Sequence, residues 1–243
     1  MPIDGPEVTS STRLPSSLFR REARAVVHQG WLIAKNLRRR PSPPLGPDVA
    51  VFVHGFLAAG PVFDPMRAQV SRRTSWDTLD FNYGPLASLD AISERFARSI
   101  ERRVPAGGRL ALVGHSLGGL ICRRYIQLTE GAREVDRLVT LATPHAGTRS
   151  VRHVPGVLAS TLRPGSEAIR ALGTCVTHRG EFVPHTALVA GRDTMVTPPS
   201  SAGAVEQAHV LTFDDLGHNE LLFDPRVYDV VVEALEADVR SSG

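Results

Sequence analysis

Apolar and polar positions fall into two repeating patterns along most of this chain. From residue 49 onward, short continuous apolar runs take turns with stretches whose apolar residues recur at helical spacing. Val49-Ala50-Val51-Phe52-Val53 is the first run and reads as a strand buried on both faces. Further strands are predicted near 77–81 and at 109–113, 136–142, 186–190 and 208–213. Helices are predicted around 63–72, through Leu89, Ile92, Phe96 and Ile100, at 117–130, and at 225–239. Strands alternating with helices predict the α/β class: a mostly parallel sheet of about six strands with helices on both faces. Residues 146–184 break the rhythm. Two short apolar pieces there, separated by Pro164-Gly165, predict a small cap over one end of the sheet.

The first 47 residues follow a different pattern. A polar tail, 1–15, precedes a predicted helix at 17–40, in which Phe19, Ala23, Val26, Val27, Gly30, Ile33, Ala34 and Leu37 form the apolar stripe. Pro41 to Pro47 is a stiff linker. The chain thus divides into a 1–47 segment and a 48–243 domain with its cap at about 146–184. This segment carries seven Arg and one Lys against three acids. One reading packs the helix on the domain, with its terminal Arg residues complementing the helix dipole. The other lays it on an anionic membrane surface. No apolar run approaches the roughly 20 residues needed to span a bilayer. The stretch lacks the form of a signal peptide, so the expected location is cytoplasmic, with peripheral contact at the inner membrane surface under the second reading.

Composition adds little to this picture. The 243 residues are 42% hydrophobic and 22% charged, as in an ordinary folded domain. The net charge of +3 comes almost wholly from Arg, Lys35 being the lone Lys; this points to a GC-rich genome, and no nucleic-acid-binding signature accompanies it. Cys122 and Cys175 make no disulfide framework. No acidic pattern suggests a metal, and no cofactor is expected.

Candidate chemistry centres on Gly114-His115-Ser116-Leu117-Gly118-Gly119, placed where a predicted strand turns into a predicted helix. A G-x-S-x-G in that context is a candidate nucleophile elbow; a glycine-rich turn without chemistry is the plain alternative. A serine hydroxyl needs a base, and the base needs a carboxylate to orient it. Asp193, in Gly191-Arg192-Asp193, follows the strand at 186–190. His218, in Leu216-Gly217-His218-Asn219, follows the strand at 208–213. Asp214 and Asp215 are rival acids; His178, His185 and His209 are rival bases that fit the strand pattern less well. An oxyanion formed at Ser116 needs donors. The Leu117 N–H is one, and the Phe56 N–H, in the His54-Gly55-Phe56 turn after the first strand, is the second.

Together these segments resemble an α/β-hydrolase of the bacterial lipase and esterase type. Thr143-Pro144-His145-Ala146-Gly147 is similar to a segment shared by triacylglycerol lipases and inositol-deacylase-like hydrolases. The resemblance covers residues 49 to about 240. It implies an α/β-hydrolase fold, a Ser116–Asp193–His218 triad, an oxyanion hole at Phe56 and Leu117, and pocket or structural roles for His54, Gly55, His115, Pro144 and His145. It implies hydrolysis of a small-molecule or lipid carboxylic ester through an acyl-enzyme. An acyltransferase or thioesterase with the same triad, or a non-catalytic membrane-docked binding protein, are the alternatives. In the cap, Val151, Val154, Val157, Leu158, Leu162, Ile169 and Leu172 either line an acyl pocket or form the cap's own core. Arg149, Arg152, Arg163 and Arg170 are either solvated or suited to anionic substrates.

Overall fold

The computed structural model describes residues 16–35, 45–84, 87–129, 132–152, 156–173, 176–177 and 179–237. The predicted residues 36–40 of the first helix and most of the Pro-rich linker lie outside them.

The helix α1 (Ser16–Lys35) precedes an alternating series. In chain order it runs β1 (Val49–Val53), α2 (Asp64–Arg73), β2 (Asp77–Phe81), α3 (Leu89–Arg103), β3 (Leu110–His115), α4 (Leu117–Leu128) and β4 (Arg137–Leu141). After the short cap helices α5 (Val157–Thr161) and α6 (Glu167–Arg170) come β5 (His185–Ala190), β6 (His209–Phe213) and α7 (Pro225–Glu236). The six strands form one sheet in the order β2-β1-β3-β4-β5-β6, every neighbouring pair parallel.

The apolar runs are continuous because both faces of the sheet are covered. Val49, Val51, Leu110 and Leu112 point into a core shared with Ile92, Phe96 and Ile121 of α3 and α4. Ala50, Phe52, Ala111 and Val113 point into the opposite core, with Met66 of α2 and Val227 and Val231 of α7. The chain reverses direction across the sheet between β1 and β3, so the loops after these two strands open onto one crevice at their carboxyl ends. That crevice is where Ser116 and Phe56 lie.

Two expectations change. In the cap, Leu162, Ile169 and Leu172 are buried in the main core beside α4, so they form neither a separate cap core nor an open acyl wall. Val154 lies outside the described residues, and all four cap Arg residues are exposed. The second change concerns α1. It does pack on the domain, but through a mixed face beside the apolar stripe, and the described residues of that stripe stay outside. Glu22, Ala25, Gln29 and Leu32 face inward; Ala23, Val26, Val27 and Gly30 of the apolar stripe are exposed. Among the described residues no helix is long and apolar enough to cross a membrane.

Candidate active site

Ser116 sits between β3 and α4 with φ 54° and ψ −123°, a strained conformation for a residue bearing a side chain. The turn closes only because of its glycines. A methyl on Gly114 would meet the Gly119 backbone at 2.5 Å, and one on Gly118 would run into the Val53 carbonyl. The Ser116 N–H donates to Leu141 O at 2.8 Å, tying the elbow to the end of β4. His115 beside it is buried, so the elbow exposes the serine and little else.

Asp193 stands in the loop after β5, buried. Its Oδ1 accepts the N–H groups of Met195 at 2.8 Å and Val196 at 2.7 Å. Its Oδ2 accepts from His218 Nδ1 at 2.7 Å. A carboxylate only accepts, so His218 carries its proton on Nδ1 and turns the lone pair of Nε2 outward. Among the described residues Nε2 has no protein partner. The His218 ring lies 4.6 Å from that of His115, and His115 Nε2 contacts the His218 carbonyl at 3.2 Å. Elbow and histidine loop are therefore in direct contact. The Ser116 hydroxyl itself makes no hydrogen bond with His218; such bonds tighten when substrate fills a site.

Gly55 brings the loop after β1 against the elbow: a Cβ there would be 3.1 Å from Ser116 Cβ. His54 holds this turn. Its Nδ1 donates to Gly55 O at 2.8 Å, while its Nε2 accepts from Tyr83 N at 3.3 Å. Tyr83 stacks on the ring and donates its hydroxyl to His54 O at 2.7 Å. Burial holds His54 below the ordinary histidine range, in keeping with a neutral ring that both donates and accepts. The Phe56 and Leu117 N–H groups find no acceptor among the described residues, and Leu117 opens α4, where the helix dipole favours negative charge.

The rival residues lie elsewhere. Asp215 pairs with Arg226 at 2.9 Å, Asp214 and His209 are exposed, and His178 is outside the described residues. His145 and His185 share the Thr140 hydroxyl, at 3.0 and 2.8 Å, in a buried network behind the elbow. Arg123 donates to His145 Nδ1 at 3.1 Å and to the Gly173 carbonyl, fastening the Pro144-His145 turn to α4 and the cap. Burial and the adjacent Arg123 push His185 down to about 3, and burial puts His145 well below its usual range.

Sequence reasoning missed the support that α1 gives the histidine loop. Glu22 Oε1 accepts from Asn219 N at 2.8 Å and from Asn219 Nδ2 at 2.6 Å. Gln29 Nε2 donates to Asn219 Oδ1 at 2.7 Å, and Arg21 pairs with Glu220 at 2.7 Å. Glu22 and Asn219 are 197 positions apart, so no local pattern signals the contact. A groove of about 720 Å³ runs between α1 and residues 216–225; Ser116 does not line it.

Comparison with known proteins places this arrangement. Residues 60–183, just over half of the 243, match the family model of palmitoyl protein thioesterases. The chain belongs to the palmitoyl protein thioesterase family. The match takes in the elbow and the Pro144-His145 turn and stops short of Asp193 and His218. A comparison with curated proteins finds no match. Among solved structures, the fold is similar to a Bacillus licheniformis lipase in propeptide form, at 15% identity and TM-score 0.61, covering 82% of this chain and 52% of that one. It is similar to a Listeria innocua gene product at 14% identity and TM-score 0.59, covering 79% and 95%. A lipase-esterase related protein from Clostridium acetobutylicum aligns at 13% identity and TM-score 0.54, covering 79% and 96%. Family and fold make this chain an α/β-hydrolase.

Proposed function

We propose that this protein is a serine hydrolase that cleaves carboxylic esters through an acyl-enzyme, with Ser116 as nucleophile, His218 as base and acid, and Asp193 as the orienting carboxylate. The observation that carries the reading is the buried 2.7 Å bond from His218 Nδ1 to Asp193, beside a serine held at φ 54°.

In this reading the Ser116 Oγ–H proton passes to His218 Nε2 as Oγ bonds to the substrate carbonyl carbon. Asp193 stabilises the imidazolium. The Phe56 and Leu117 N–H groups receive the oxyanion. The bond to the leaving group then breaks and His218 returns the proton to it. Water, deprotonated by the same histidine, releases the acid and restores Ser116. The match to palmitoyl protein thioesterases favours a second reading, in which the scissile bond is an acyl thioester.

A fluorophosphonate probe is expected to label the protein, and Ser116→Ala to abolish both labelling and p-nitrophenyl ester hydrolysis. A folded chain that never labels would falsify the triad. Paired panels of oxygen esters and thioesters, from acetyl to palmitoyl, then decide the leaving group by their relative kcat/KM.

A further inference from the structure

We propose that α1 docks this protein on an anionic lipid surface, its apolar stripe against the lipid and the mouth of the Ser116 site facing the same surface. The first argument is the orientation of α1. An amphipathic helix that only served to cover its own domain would bury its apolar stripe. This helix spends a mixed face on the domain, Ala25 and Leu32 buried beside Glu22 and Gln29, which hold Asn219. It leaves Val27 71% exposed and Trp31 54% exposed.

The second argument is charge. Between residues 13 and 40 the sequence has Arg13, Arg20, Arg21, Arg24, Lys35 and Arg38 to Arg40, with Glu22 the lone acid. Glu22 is turned inward, and the acids that share the groove with Arg24 and Val27, Glu220 and Asp224, are paired with Arg21 and Arg226, so the exposed Arg24 stands beside the apolar stripe. Such a face suits an anionic bilayer, and it repels a second copy of itself.

The third argument is continuity with the site. α1 packs against Gly60–Phe63, which follows the turn after β1, and against Glu220–Leu222, which follows the loop that carries His218. Leu57, next to Phe56, is 72% exposed, and Met195, two residues after Asp193, is half exposed. Met195 Sδ is 3.5 Å from Asn219 Nδ2, the same amide that α1 holds. The exposed apolar residues of α1 thus continue into those at the mouth of the site, which an acyl chain leaving a bilayer would enter.

Sedimentation of the full chain with vesicles tests this without any turnover, so it stands or falls apart from the proposed chemistry. The chain is expected to pellet with phosphatidylcholine vesicles containing phosphatidylglycerol and to remain in solution with phosphatidylcholine alone. Added salt is expected to weaken the binding. Arg24→Glu is expected to cut the partition coefficient by about fivefold or more, the worth of one basic residue near an anionic surface. Val27→Glu, which disturbs nothing buried, is expected to lower it at least as far. Three results would overturn the proposal: no binding to anionic vesicles, wild-type binding by Val27→Glu, or a dimer in solution that Val27→Glu dissociates.

Discussion

Asp193 divides its two oxygens between two tasks: one takes a pair of backbone N–H groups, the other takes His218. The carboxylate is therefore fixed before it meets the imidazole, and through it the proton is confined to Nδ1. Asp193→Asn keeps the shape but can offer an N–H where an acceptor is needed, favouring the wrong tautomer. A fall in kcat of about a thousandfold or more is expected, with the fold intact by circular dichroism. His115 acts at one remove. Its contact with the His218 carbonyl spans the elbow and the histidine loop. His115→Leu is expected to lower kcat by about ten- to a hundredfold with KM little changed, and His115→Gln, which keeps a donor, to recover part of the loss. Ser116, Asp193 and His218 were legible in the sequence because each follows an apolar run that reads as a strand. Their supports were not. Arg123 looks like an ordinary helix residue, and only the folded chain shows that it reaches His145 and the Gly173 carbonyl.

Among the elements, the strands matched their predicted positions closely; β1, β3 and β4 are buried along their whole length, and such runs have sharp ends. Helix α1 shows where periodicity misleads. The pattern correctly marks an amphipathic helix but does not say which face meets the protein. Two side-chain amides and a carboxylate, Asn219, Gln29 and Glu22, outweigh the stripe by pairing with one another in a part-buried place through Glu22 Oε1. Removing Glu22 leaves the Asn219 N–H groups without their acceptor and frees the loop that carries His218. Glu22→Ala is expected to reduce kcat on a soluble ester by about tenfold, and Glu22→Gln, which retains an accepting oxygen, to restore most of it. Equal activity in all three proteins would show that α1 is a bystander. The cap was misread for a related reason. Its apolar residues announce burial, but whether they meet each other, a ligand or α4 depends on where the chain doubles back: Thr148 N to Leu162 O closes the segment on itself, and Arg123 of α4 ties it down at the Gly173 carbonyl.

Among the described residues, burial holds His54, His115, His145 and His185 in the neutral form. In the unfolded chain each takes a proton near its ordinary value of about 6.5; in the folded chain it does so only at lower pH, about 3 for His185. Between those limits the unfolded state binds more protons, so stability is complete above about pH 6.5 and falls as the pH drops toward 3. Urea midpoints are expected to decline from pH 7.5 to pH 4.5, and a midpoint flat across that range would contradict the neutral assignment. The order of synthesis adds a further constraint. α1 leaves the ribosome well before the domain it packs on, and Asn219, which it grips, comes 197 positions after Glu22. Until that residue emerges Glu22 and Gln29 lack their shared partner, and only the packing against Gly60–Phe63 can seat the helix. A nascent chain of this protein therefore carries this helix long before the loop that bears His218 exists to be held by it.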